Sequence, residues 1–164
     1  SLSNTDESEL LLVGCSQGGL AAALTAAQMP ETVNGLVLLY PALCIPDAAR
    51  GGEMLWLKFD PSHIPEKMHA GPMPLGRRYA ADVMNMDAFR QIAGYSGKVL
   101  LLHGDRDAIV DISYAEKAES VYRAAGADVR FVVIPGGKHI FRKPSQIRQA
   151  TQEITAFVRK MKGE

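Results

Sequence analysis

Leu10-Leu11-Leu12-Val13-Gly14-Cys15-Ser16-Gln17-Gly18-Gly19 decides how the rest of the chain reads. Its first half is a short apolar run ending in glycine, the pattern of a strand covered on both faces of a parallel sheet. Its second half opens a helix over residues 16–28, where Leu20, Leu24 and Ala27 recur at helical spacing in an alanine-rich background. Pro30 ends that helix. A strand that turns through Ser16 straight into a helix predicts a sharp, strained turn with the serine hydroxyl raised over the carboxyl edge of the sheet. Gly14 and Gly18, two positions either side, leave room for neighbouring backbone to pass close.

The same alternation continues downstream. Residues 33–40, 98–103 and 130–134 read as further strands. Between the later ones, helical periodicity runs over residues 78–92 through Tyr79, Val83, Met86 and Phe89, and again through Tyr114, Ala118, Val121, Tyr122 and Ala125. That second helix carries a capping-box spacing at Ser113 and Glu116 and a terminating glycine at Gly126. Pro144 suits the first turn of a last helix whose stripe is Ile147, Ala150, Ile154, Phe157, Val158 and Met161. Strands alternating with helices, without hairpin signals between them, predict an α/β class with a parallel sheet covered by helices on both faces.

Residues 42–78 break the pattern. Pro46, Pro61, Pro65, Pro72 and Pro74 and the Gly51-Gly52 pair interrupt any long element, yet the stretch holds Trp56 beside Leu55, Leu57 and Phe59. A long irregular segment with its own apolar residues reads as a cap or lid inserted in a single domain spanning residues 1–164.

Composition narrows the function. The chain has 164 residues, 47% hydrophobic and 22% charged, which suits one globular domain. Eighteen Lys and Arg offset eighteen Asp and Glu, so no net positive charge points to nucleic acid. Arg142, Lys143, Arg148, Arg159, Lys160 and Lys162 cluster near the end and read as a solvated helix face. No apolar run has the length of a membrane span. Residues 1–9 are polar and acidic, unlike a signal peptide. Cys15 and Cys44 do not make a disulfide framework, and no Cys/His cluster has ligand spacing, so no metal and no cofactor is expected.

Gly14-Cys15-Ser16-Gln17-Gly18 matches the G-x-S-x-G nucleophile pattern in its required strand–turn–helix context. It lacks the spacing and closing Lys-Ser/Thr of a phosphate loop and the G-x-G-x-x-G of a dinucleotide site. A serine needs a base, and the base needs an orienting carboxylate. His139 follows the last strand through Pro135-Gly136-Gly137-Lys138, on the same sheet edge as Ser16, and is the expected base. His103 ends a strand and reads as structural; His63 and His69 lie in the irregular insertion. Asp107, just past the strand ending at His103, is the expected carboxylate ahead of Asp105, which sits tighter in the turn, and Asp111, which suits the start of the next helix. The Gln17 backbone N–H, at the helix start, is the expected oxyanion donor. Cys15 is expected to face the sheet interior, buried and inert.

The Ser16, Asp107, His139 order and the strings around it resemble the alpha/beta-hydrolase superfamily. Gly14-Cys15-Ser16-Gln17-Gly18-Gly19 resembles its nucleophile elbow, Gly35-Leu36-Val37-Leu38-Leu39-Tyr40-Pro41-Ala42 the strand after it, His103-Gly104-Asp105-Arg106-Asp107 its acid loop, and Pro135-Gly136-Gly137-Lys138-His139 its histidine loop. The resemblance is closest to small carboxylesterases of the feruloyl and cinnamoyl type, with monoacylglycerol-lipase-like enzymes and serine aminopeptidases as rivals. It implies a serine carboxylesterase acting on a small-molecule ester, with Trp56, Leu55 and Phe59 lining the acyl site. A non-catalytic binding or assembly subunit is the competing class. The family carries further strands and helices ahead of the elbow, including the loop that supplies a second oxyanion donor. The resemblance therefore implies an alpha/beta-hydrolase fold lacking its N-terminal strands here, completed by a companion segment or chain along the open sheet edge.

Overall fold

The computed structural model describes residues 9–54, 57–70 and 73–164. The chain divides into two compact units, one formed by the chain up to Leu43 together with Phe89–Glu164, the other by Cys44–Ala88.

The first unit is built on four parallel strands in the order β1-β2-β7-β8. These are β1 (Leu10–Cys15), β2 (Val33–Leu39), β7 (Lys98–Gly104) and β8 (Asp128–Ile134). Helix α1 (Gln17–Gln28) links β1 to β2, α5 (Ser113–Ala124) links β7 to β8, and α6 (Pro144–Met161) follows β8. Because the order advances in one direction, right-handed crossovers put successive linking helices on the same face. Gly14 points to that face, where it abuts Ala22 of α1. The other face holds Val37, Leu100, Leu102 and Ile134 against Ala150 and Phe157 of α6.

Strand β7 is the centre of this core: Val99, Leu100, Leu101 and Leu102 are all inaccessible to solvent. The equally apolar β1 differs from its expected burial. Leu10 is 38% and Val13 53% exposed, and Cys15, expected to be buried, is exposed. The reason is position in the sheet: among the described strands β1 pairs with β2 alone, so its neighbours cover it on one side.

Two helix expectations are corrected as well. Ser113 is not a cap; it is the first residue of α5, and the Asp111 carboxylate accepts its N–H at 2.9 Å. Those bonds from the Ser113 hydroxyl and N–H hold the Asp111 carboxyl below the ordinary carboxylate range. The other end is as expected: Gly126 takes φ 86°, and the N–H groups of Gly126 and Ala127 return to the carbonyls of Arg123 and Tyr122, the Schellman pattern. The single helix expected over residues 78–92 is two, α3 (Arg77–Met84) and α4 (Ala88–Ile92). Arg50 explains the break. Its guanidinium donates to the carbonyls of Met84 (3.0 Å) and Met86 (2.9 Å), satisfying groups that a continuing helix would have used.

The second unit also contains α2 (Ile45–Arg50) and two short antiparallel pairs, β3 (Glu53–Met54) with β4 (Leu57–Lys58) and β5 (Lys67–Ala70) with β6 (Met73–Gly76). It has its own apolar cluster of Ala49, Met54, Met68, Ala80 and Val83.

Candidate active site

Ser16 sits between β1 and α1 with φ 52° and ψ −123°, a left-handed φ that costs energy for any residue with a Cβ. The turn is held from several sides. The Ser16 N–H donates to the Leu39 carbonyl (3.0 Å), and the Ser16 carbonyl accepts from Gly19 (2.9 Å), Leu20 (3.2 Å) and Ala42 (2.9 Å). A Cβ on Gly14 would collide with the Gly18 carbonyl, and one on Gly19 would press into Pro41. At Gly18 a Cβ would meet nothing; the close approach is made to its backbone, not by its missing side chain. Gln17 opens α1 directly after the serine.

Ser16 Oγ lies 2.8 Å from His139 Nε2, and His139 Nδ1 lies 2.9 Å from Asp107 Oδ2. The structure thus brings together three residues separated by 91 and 32 positions in the chain. His139 is 12% exposed and the Asp107 side chain fully buried. The buried carboxylate is well supplied with donors: its Oδ1 accepts the N–H groups of Ile109 (2.9 Å) and Val110 (3.0 Å). With Nδ1 donating to a carboxylate, the neutral imidazole leaves its Nε2 lone pair facing the serine hydroxyl, the arrangement that accepts a proton from it.

Asp105 has a different place. Its Oδ1 accepts the Gly136 N–H at 2.6 Å, and the Arg106 N–H donates to the Gly137 carbonyl at 2.9 Å. Gly104 and Gly137 pass so close that a Cβ on either would strike the other's backbone. Asp105 therefore braces the loop of Asp107 against the loop of His139. Asp111 lies at the start of α5. His63 is exposed, 3.4 Å from the Asp60 carboxylate, and His69 lies on β5. Phe59 is half-buried against the apolar cluster of the Cys44–Ala88 unit; Leu55 and Trp56 lie outside the described residues.

Two site neighbours escaped the sequence reading. The Tyr40 ring packs against the His139 imidazole, with centroids 5.0 Å apart, and edge-on against Phe141 at 5.1 Å. Tyr40 has φ 39°, the second strained residue beside the imidazole. Burial pushes its hydroxyl up to about 12, helped by the adjoining Cys15 thiol and then by Asp107. Its place at the carboxyl end of a strand, before Pro41, was the available signal. Gln146, almost fully buried, ties the histidine loop to α6: its Oε1 accepts the Lys143 N–H (3.4 Å) and its Nε2 donates to the Pro135 carbonyl (3.2 Å). Nothing in a polar residue at a helix start announces that reach. His103, expected to be structural, is buried 3.3 Å from Asp107 Oδ2. Among the described residues no group of three or more His, Cys, Asp or Glu side chains is placed to hold a metal ion, and no helix is long and apolar enough to cross a membrane.

Est1E from Butyrivibrio proteoclasticus superposes with a TM-score of 0.85 and 29% identity over 95% of this chain and 62% of that one. Est1E with ferulic acid bound gives the same score and identity over 95% and 61%. The esterase domain of a Rhodothermus marinus protein shares the fold at TM-score 0.70 and 22% identity, over 97% of this chain and 64% of that one. The chain thus spans less than two thirds of the length of these structures. No curated protein matches it by sequence. The prolyl oligopeptidase family model matches residues 1–164. With the parallel sheet and the serine turn already in view, the chain has an alpha/beta-hydrolase fold and belongs to the prolyl oligopeptidase family.

Proposed function

We propose that this protein is a serine hydrolase that cleaves carboxylic esters through an acyl-enzyme intermediate. The supporting observation is the unbroken hydrogen-bonded chain from Ser16 Oγ through His139 to Asp107. Ser16 attacks the ester carbonyl carbon while His139 Nε2 takes the hydroxyl proton, and the buried Asp107 carboxylate stabilises the imidazolium formed. The charge gathering on the carbonyl oxygen is met by the Gln17 N–H at the start of α1. His139 then gives its proton to the leaving alkoxide; a water deprotonated by the same imidazole attacks the acyl carbon, and the imidazolium returns that proton to Ser16 Oγ as the acid leaves.

Hydroxycinnamate esters are the substrates proposed first, because the likeness to Est1E, a structure of which holds ferulic acid, extends along nearly all of this chain. The insertion over residues 42–78 is proposed as a cap, with Leu55, Trp56 and Phe59 as the residues proposed to bind the acyl group. The outer edge of β1 is proposed to pair with an upstream segment or companion chain that also supplies the second oxyanion donor. Losing such a donor costs about 2.7–4 kcal/mol of transition-state stabilisation.

The prolyl oligopeptidase family match supports a second reading, an amidase or peptidase with the same residues. Turnover of p-nitrophenyl acetate, methyl ferulate and aminoacyl anilides, each beside Ser16→Ala, separates the two. Ester cleavage abolished by Ser16→Ala supports the first reading; anilide cleavage exceeding ester cleavage replaces it with the second. Ester hydrolysis that persists in Ser16→Ala defeats both.

A further inference from the structure

His103 is the penultimate residue of β7, and its imidazole is wholly inaccessible to solvent. A buried imidazole is costly unless its nitrogens are used. Its Nε2 lies 3.0 Å from the Val110 carbonyl oxygen. A carbonyl only accepts, so Nε2 carries the proton and Nδ1 carries the lone pair. That Nδ1 has no hydrogen-bond partner among the described residues, so the ring is used from one side only. The side it uses faces Asp107: the same Nε2 stands 3.3 Å from Oδ2, the oxygen that meets His139.

Val110 is thereby held at both ends of one peptide-bonded residue. Its N–H donates to Asp107 Oδ1 and its carbonyl accepts from His103. The turn from Asp107 to Val110 is closed around the carboxylate, and the buried ring is the peg it closes on. We propose that His103 is a positioning residue, fixing the Asp107 carboxylate so that Oδ2 is presented to His139 Nδ1. It touches no reacting atom and acts through Val110 and Asp107. The proposal rests on the acyl-transfer reading of Ser16, His139 and Asp107.

The test uses the full chain with p-nitrophenyl acetate as substrate and three variants, His103→Leu, His103→Gln and Ser16→Ala. Replacing the ring by leucine removes the N–H and frees the turn. A displaced relay group costs on the order of 100-fold, so His103→Leu should lower kcat about 10- to 100-fold while KM stays within about twofold. Glutamine places an amide N–H near the position of ring Nε2, and His103→Gln should recover most of the loss. Nitrogen-15 NMR of the histidine rings in the unmodified protein should show His103 with a proton on Nε2 and none on Nδ1. That spectrum decides the matter if His103→Leu does not fold. The proposal is overturned by a His103→Leu with normal kcat, by a His103→Gln as impaired as His103→Leu, or by an Nδ1–H tautomer of His103. An active Ser16→Ala would instead sink the acyl-transfer reading; a dead Ser16→Ala beside a fully active His103→Leu sinks the positioning role alone.

Discussion

Strands β1 and β7 are near twins in composition and opposites in circumstance. Leu10-Leu11-Leu12-Val13 and Val99-Leu100-Leu101-Leu102 carry the same kind of apolar run, and each ends at a loop bearing one of the site's groups, Ser16 after β1 and Asp107 after β7. Yet every residue of the second run is sealed from water while Leu10 and Val13 are open to it. The two also hold their functional groups by different means. Ser16 is aimed by a strained backbone whose own amide groups are bonded to three other parts of the unit. Asp107 is aimed by donors gathered around its side chain. A hydroxyl needs a rigid approach angle; a buried charge needs compensation.

The sharpest way to separate these means is Asp107→Asn. The amide keeps the shape but loses the anion that sets the imidazole tautomer, and kcat should fall about 10⁴-fold. Asp105→Asn keeps an oxygen for the Gly136 N–H and should leave turnover near normal, measured on the same ester. Next in size is the contrast within the strands themselves. Leu101→Ala empties a sealed site and should cost about 2–5 kcal/mol in urea unfolding.

Alkaline unfolding reports the same sealed interior. Tyr95, whose hydroxyl donates to the Val33 carbonyl at 3.1 Å, is pushed by burial from 10.0 up to about 12. The unfolded chain sheds this proton first, so the stabilisation is complete below pH 10 and disappears as pH climbs toward about 12. The urea midpoint should fall across that window, and less steeply in Tyr95→Phe. Smallest of all, Val13→Thr on the open face of β1 should move stability by no more than about 0.5 kcal/mol; a loss comparable to that of Leu101→Ala would mean that the two strands are not different after all.

The sequence made the four strands readable because each is a dense apolar run bounded by glycine or proline. It made Ser16, His139 and Asp107 readable because parallel strands bring all their carboxyl ends to one edge. It was silent wherever a remote partner decides. Arg50 ends α3 from outside the helix, Asp111 displaces Ser113 from the cap, and the place of β1 in the sheet exposes Cys15. None of these leaves a mark on local periodicity. The two short pairs of the Cys44–Ala88 unit were hidden for another reason, since strands of two to four residues carry too little alternation to register.

The passage of Gly104 against Gly137, with Asp105 tied to Gly136 and Arg106 to Gly137, has a dynamic consequence. Opening either loop breaks the hydrogen bonds that tie it to the other, so their amides should share one opening free energy in hydrogen exchange, a single foldon drawn from opposite ends of the β7–α5–β8 crossover. Anyone grafting this acid loop into a relative would have to carry the histidine loop with it.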